Sequence, residues 1–269
     1  MRRALFLAIV LLFSLAGTAL ASAINDTQAD AIDVPVGSTV TEDTTLADLT
    51  DPVETALNAN CGAPRVEHGV WFSITPTDTV FVIFDTTESD YGAGMMLFPA
   101  TVSADSLITC GPGQIIEQLV GGDEYFLFVF GDGETAATAG TLKLHIDEAA
   151  PPPEISVTIN KSGTVDKLGI AHISGTVTCT SEDDAGILFE VFGDVSQRVG
   201  RVVIRGFFDS FLDAPCDGST IAWAADVFAD NGLFAGGKAA TVAIGFGCTD
   251  VCSEGFAEAT IQLRKARTN

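Results

Sequence analysis

The chain is 269 residues long, 47% apolar, and carries 36 Asp and Glu against 13 Lys and Arg, a formal net charge of −23. Such a field repels nucleic-acid phosphates and anionic membranes, which excludes nucleic acid as a partner and favours cations or basic proteins. Residues 1–23 have the three parts of an export signal: Arg2 and Arg3 at the positive end, an apolar run over 4–15, and small residues that allow cleavage after Ala21 or Ala23. The run is shorter than the ~20 residues a membrane span needs, and no later stretch reaches that length. The expectation is a secreted, extracellular protein with no stable membrane insertion.

The first compact half is expected over 24–148. Short apolar segments at 69–74, 79–85, 94–98, 106–110, 115–119, 124–130 and 141–146 read as strands. The segment 79–85 has five consecutive apolar residues, which suits a strand buried on both faces. The last segment alternates, with Leu142, Leu144 and Ile146 on one face and Lys143 and His145 on the other. Gly121, Gly122, Gly131 and Gly133 mark turns between these segments. Strands this short and regular predict an antiparallel sandwich or barrel.

The order Asn25-Asp26, Cys61-Gly62, then Val70, Trp71, Phe72, Ser73 and Ile74, and later Gly121, Gly122, Asp123, Glu124, Tyr125 and Phe126 resembles the bacterial pre-peptidase C-terminal type of domain. The resemblance implies a jelly-roll-like β-sandwich, of a kind found attached to secreted enzymes or repeated in surface proteins. Some members of that family bind calcium, collagen or other polymers; no ligand set is carried across residue by residue. Calcium, which needs six to eight clustered oxygens, is the one cofactor the residues themselves suggest. Asp85, Glu88 and Asp90 on one loop are the candidate ligands, with Asp132 and Glu134 on a second acidic loop.

A Pro-rich linker follows at 149–153. Pro151, Pro152 and Pro153 fix φ and lack N–H donors, which favours a stiff extended spacer. The second half, 154–269, shows strand-like segments at 155–159, 169–179, 187–195, 199–204, 220–227, 238–246 and 257–263. Their number and spacing, with Trp223 and cysteines on separate strands, predict an immunoglobulin-like β-sandwich. The fold class is therefore all-β: two antiparallel sandwiches, jelly-roll-like and then immunoglobulin-like.

Six cysteines in an exported chain read as disulfides. Cys61 and Cys110 lie before the linker and can form one bond. Cys179, Cys216, Cys248 and Cys252 lie after it and allow three pairings, of which Cys179–Cys216 with Cys248–Cys252 is preferred because the latter closes a tight loop. Zinc fits poorly, since a CxxxC pair with no nearby His or second pair lacks a ligand set.

Segments over 155–167 and 175–179, together with Gln197, Arg198, Arg201, Cys216, Trp223 and 231–238, are similar to a secreted bacterial domain family of unknown function, which implies no activity. In layout the half also resembles the chromoprotein apoproteins, acidic carriers of an aromatic small molecule. Arg201 and Arg205 are expected to share one strand face with Val203, where two guanidiniums would make a possible anion-binding pair. Pairing with acids of a neighbouring strand is the simpler role. Phe207, Phe208 and Phe211 follow directly and are expected to pack in the core or at a hinge, a ligand-facing patch beside the arginines being the alternative.

No recognised catalytic motif stands out in the sequence, and nothing in it marks a particular pair among its many carboxylates. There is no Gly-x-Ser-x-Gly elbow, no HExxH and no phosphate loop, and His68, His145 and His172 sit in no recognised motif. No catalytic residue is assigned. The expected function is a secreted, non-catalytic binding or structural module whose partner is an extracellular protein or polysaccharide. The alternatives are an extracellular hydrolase using paired carboxylates and a small-molecule carrier on the second domain.

Overall fold

The computed structural model describes residues 23–49, 51–57, 61–63, 65–133, 137–182 and 186–266. The expected export signal, apart from Ala23, and Glu134 lie outside the described residues. Among the described residues, no helix is long and apolar enough to cross a membrane. The described chain is built from β-sheets packed as sandwiches, and no sheet spans the three prolines.

The first half contains β1 (Ile32–Asp33), β2 (Ser38–Asp43), the short helix α1 (Pro52–Leu57), β3 (Glu67–Ile74), β4 (Val80–Asp85), β5 (Ala93–Pro99), β6 (Thr109–Pro112), β7 (Gln114–Leu119), β8 (Tyr125–Gly131) and β9 (Thr141–Ala149). A five-stranded sheet, β1-β3-β8-β5-β6, faces a four-stranded sheet, β2-β9-β4-β7. Between them pack Val70, Phe72, Leu97 and Leu127 from the first sheet and Phe84, Leu144 and Ile146 from the second. The alternation of β9 is as expected, with Leu142, Leu144 and Ile146 buried and Lys143 exposed.

The doubly buried strands are not the expected one. In β4 only Val82 and Phe84 enter the core, while Phe81 and Ile83 are half-buried, because nothing among the described residues layers over the outer face of that sheet. The sheet covered on both faces is the other one. Trp71, Met96, Phe98, Phe128 and Phe130 point away from the main core and are enclosed by Leu57, Val53, Leu49, Val102, Leu107 and the Cys61–Cys110 disulfide. The helix α1 belongs to this cover and has no counterpart in the sequence reading. Trp71 stacks on Phe128 with ring centroids 4.6 Å apart, and its Nε1 donates to Glu54 Oε1 at 2.8 Å. Gly69 and Gly94 make room for the rings: a Cβ on either would come within 2.2 Å or 2.6 Å of the Phe128 or Phe130 ring. The expected strand over 106–110 is displaced, since Ala104–Ser106 forms a 3-10 turn and β6 begins at Thr109.

The second half contains β10 (Glu154–Ile159), β11 (Ser162–Val165), β12 (Ala171–Thr180), β13 (Ile187–Val199), β14 (Val202–Pro215), β15 (Asp217–Val227), β16 (Gly237–Cys248) and β17 (Cys252–Lys265). On one side of the sandwich β12 pairs with β10 and β15; on the other the order is β11-β17-β16-β13-β14. The short β11 pairs with both β12 and β17 and so joins the two layers. Two short pairings, β1 with β3 and β11 with β17, are parallel; the rest are antiparallel. Trp223 lies in the core, stacked on Phe208 at 5.6 Å and donating through Nε1 to the Thr158 carbonyl.

All three disulfides join the preferred partners: Cys61–Cys110, Cys179–Cys216 and Cys248–Cys252. The last closes the β16–β17 hairpin, and that hairpin grips the linker. The Ala150 N–H donates to the Asp250 carboxylate at 2.8 Å, Thr249 Oγ1 lies 2.7 Å from the Pro151 carbonyl, and Ser253 Oγ donates to the Pro153 carbonyl. The proline segment is thus tied to the second half instead of standing free as a spacer.

Candidate functional site

A strand places alternate side chains on opposite faces, so one phase of each strand in the layer β14-β13-β16-β17 points outward. In β16 the inward phase is small: Ala239, Thr241, Ala243, Gly245 and Gly247. A Cβ on Gly245 would come within 2.7 Å of Val157, so β10 packs too closely across that layer for larger residues. The bulky phase, Val242, Ile244 and Phe246, therefore faces out. The same inversion holds in β17, where Gly255 is buried and Phe256 exposed, and in β14, where Gly206 is buried and Phe207 exposed.

The resulting outer face carries six phenylalanines. Phe207, Phe211 and Phe256 are 53%, 77% and 63% exposed, Phe189 is 41% exposed, and Phe192 and Phe246 are half-buried by their neighbours. Phe189 stacks on Phe246 at 6.0 Å, and Phe192 meets Phe207 at 6.4 Å. Acidic residues alternate with the rings across the strands. One cross-strand row reads Phe211, Glu190, Phe246, Glu254; the next Asp209, Phe192, Ile244, Phe256; the third Phe207, Asp194, Val242, Glu258. With strands ~4.8 Å apart and alternate residues ~7 Å apart, the three rows form a patch about 15 Å on a side. It is apolar in its rings, anionic between them, and larger than the scattered apolar residues of an ordinary surface.

The arginines expected beside it are separated. Gly200, with φ of 62°, makes a tight turn between β13 and β14, and Arg201 sits in that turn instead of on a strand. Arg205 is on β14, where it faces Ser196 across the pair with β13, at the border of the aromatic patch. The shared face inferred from alternation ends at Val203 because the strand begins only at Val202. Neither guanidinium forms an ion pair among the described residues. Phe208 takes the expected core position, whereas Phe207 and Phe211 take the alternative one, facing outward.

The calcium candidates are likewise dispersed. Asp85 accepts from the Thr87 N–H and hydroxyl at 2.7 and 2.6 Å and from Gln114 at 3.2 Å. Partial burial would raise its carboxyl, but these hydrogen bonds outweigh it and hold the group below the ordinary value. Glu88 pairs with Lys143 at 3.4 Å, and Asp90 accepts from the Thr141 N–H at 2.8 Å. Each carboxylate is taken up by a different partner, Asp85 by Thr87 and Gln114 and the other two by residues of β9, and among the described residues no three acids, histidines or cysteines converge as a metal site. Burial raises Asp132 on the second loop.

The most perturbed titratable group is Glu54, which the sequence reading did not single out. Burial pushes it up to about 7; the Trp71 hydrogen bond opposes the rise, and Asp51 and Asp26 add to it. A carboxyl titrating near neutrality suits proton transfer. Glu54, however, is fully buried between α1 and β3 and presents no surface to a substrate. A separate cleft of about 570 Å³ opens at one end of the second sandwich, lined by Val165, Lys167, Leu233, Phe234 and Lys265. Its size is that of a small-molecule pocket.

No family model matches the chain. No curated protein matches it either. Solved structures similar to parts of it include a β-galacturonidase of glycoside hydrolase family GH2 from Eisenbergiella tayi, with 9% identity, a TM-score of 0.23, and 75% of this chain covering 36% of that one. A β-glucuronidase from Parabacteroides merdae is 9% identical with a TM-score of 0.25, over 77% of this chain and 29% of its own. A putative β-galactosidase from Bacteroides fragilis is 10% identical with a TM-score of 0.24, over 82% and 43%. The chain therefore spans less than half the length of each, and no activity is transferred from them.

Proposed function

We propose that the protein is a non-catalytic binding module that works outside the reducing cytosol and recognises an extracellular protein or polysaccharide through the aromatic outer face of β14-β13-β16-β17. The carrying observation is that six phenylalanines interleaved with acids share one outer sheet face, four of them exposed and two half-buried by their neighbours. Rigid aromatic side chains contribute large contact area at small entropic cost, and acids between them select by charge and hydrogen bonding. Three disulfides with no free cysteine suit an oxidising exterior. In this reading the first half is a module of the pre-peptidase C-terminal type, and the second is the recognition module.

Retention of the oxidised protein on an array of polysaccharides and short peptides tests this, against the variant Phe192→Ser/Phe207→Ser/Phe246→Ser. Wild type is expected to be retained on a subset of the array, with the variant at least ~10-fold weaker. Equal retention of the two proteins, or turnover of any polysaccharide abolished by a single carboxylate substitution, would overturn the proposal. The carrier alternative places a small apolar anion in the cleft beside Lys167 and Lys265, and would instead appear as a ligand co-purifying with the protein and unaffected by the three serines.

A further inference from the structure

Among the described residues, strand β14 pairs with another strand along one edge only, with β13. Its other edge is guarded at the start: the Arg205 N–H donates to Asn231 Oδ1 at 2.9 Å, Asn231 Nδ2 donates to the Val203 carbonyl at 2.9 Å, and the Asp230 N–H donates to the Arg205 carbonyl at 2.8 Å. Backbone groups on one edge recur at every second residue, so the same edge continues at Phe207, Asp209 and Phe211. Among the described residues, no strand pairs with those three positions from outside. At the far end the strand bulges against β13 beyond Phe211, and Asp213 turns with φ of 46°. The opening is therefore bounded on both sides and about five residues long.

We propose that this open edge accepts an extended segment of a basic partner protein by strand addition, with the segment's outward side chains reading apolar, cationic, apolar opposite Phe207, Asp209 and Phe211. The proposal rests on the aromatic face being the binding surface, and it names the partner's chemistry there. Added main chain would satisfy the unpaired edge groups of β14, and cross-strand neighbours would set the choice of sequence. A cation opposite Asp209 is flanked one strand further in by Glu190 and Asp194, which border Phe192. An added strand would also extend the aromatic face onto the partner.

A second copy of the chain fits this edge poorly. The symmetric antiparallel register centred on Asp209 sets carboxylate against carboxylate. The register that would set Arg205 against Asp209 is centred on Phe207 and needs the backbone of Val203 and Arg205, which Asn231 and Asp230 already occupy. The net charge of −23 adds a general repulsion between copies.

The test uses a soluble peptide with the core Val-Thr-Lys-Thr-Val, a counterpart with Glu in place of Lys, and a third version N-methylated at the amides that would face β14. Binding to the oxidised full chain is measured by titration calorimetry. The Lys peptide is expected to bind, the Glu peptide to bind at least ~10-fold more weakly, and the N-methylated peptide to show no binding. Asp209→Asn is expected to weaken the Lys peptide by up to about fivefold, and Asp209→Lys to invert the preference towards the Glu peptide. Equal binding of the N-methylated peptide would refute use of the edge, and equal binding of the Lys and Glu peptides would refute the charge selection. Absence of peptide binding, while array retention still depends on Phe192 and Phe246, would overturn strand addition and leave the face reading standing. Loss of both would overturn the two together, and a concentration-dependent dimer broken by Asp209→Lys would assign the edge to a second copy.

Discussion

Both halves of the chain contain a sheet whose outer face is aromatic, and the two faces meet opposite fates. In the first half Trp71, Met96, Phe98, Phe128 and Phe130 are sealed under α1, Val102, Leu107 and the Cys61–Cys110 disulfide. In the second half Phe189, Phe192, Phe207, Phe211, Phe246 and Phe256 have no such cover among the described residues. The chemistry between the rings differs accordingly. The sealed face holds Glu54, whose carboxyl is raised by burial against the opposing hydrogen bond from Trp71; the open face holds five acids, Glu190, Asp194, Asp209, Glu254 and Glu258, between its rings. An aromatic strand phase thus does not itself declare a core. What decides is whether the chain supplies a second layer, and the acids placed between the rings keep the open face hydrated.

The largest difference between the faces is expected from truncating a ring on each. Trp71→Ala removes a fully buried side chain, its stack on Phe128 and the partner of Glu54, and is expected to cost about 3–5 kcal/mol in denaturant unfolding. Phe207→Ala on the open face is expected to change stability by no more than ~0.5 kcal/mol, and a cost like that of Trp71→Ala would break the distinction. Next in size, Cys61→Ser/Cys110→Ser releases a loop of 49 residues from the cover and is expected to cost about 2–4 kcal/mol, with increased dye binding by the first half.

Glu54 gives the cover a pH dependence of defined sign. Its folded-state value of about 7 lies above the ordinary 4.5, so the folded chain holds a proton that the unfolded chain releases between these values. The stabilising contribution is fully present below pH ~4.5 and is lost as pH rises through about 7, amounting to at most about 3 kcal/mol. Glu54→Gln keeps an acceptor for Trp71 Nε1 and is expected to flatten this part of the stability profile, followed by tryptophan fluorescence. A profile unchanged by that substitution would remove Glu54 as its source. The smallest effect is expected for Asp209→Asn, which leaves the melting temperature within about 2 °C and acts only on binding.

Much of the fold was legible in the sequence because turn glycines, prolines and short apolar segments punctuate it regularly, and the cysteines divide evenly about Pro151, Pro152 and Pro153. The face was not. Alternation gives two phases per strand without saying which is inside, and the usual rule places the bulky phase inward. Here close packing of Val157 against Gly245, and of Ile155 against Gly255, reserves the interior for small residues, so Phe246 and Phe256 face out. The signal was present as glycines alternating with phenylalanines, but it acquires meaning only when β10 is known to cross those strands. The helix α1 was hidden for a different reason: six residues carry too little periodicity, and its stability comes from Leu57 and Glu54 packing over Trp71. Asp85, Glu88 and Asp90 looked like a cluster in sequence, whereas Thr87, Lys143 and Thr141 each draw one of them aside.

The most direct test of the open face is to measure melting and array retention together for wild type and Phe192→Ser/Phe207→Ser/Phe246→Ser. A recognition surface predicts melting temperatures within a few degrees and a loss of retention of at least ~10-fold. A variant that unfolds would show that the face is core, and a stable variant that keeps full retention would show that recognition lies elsewhere on the molecule.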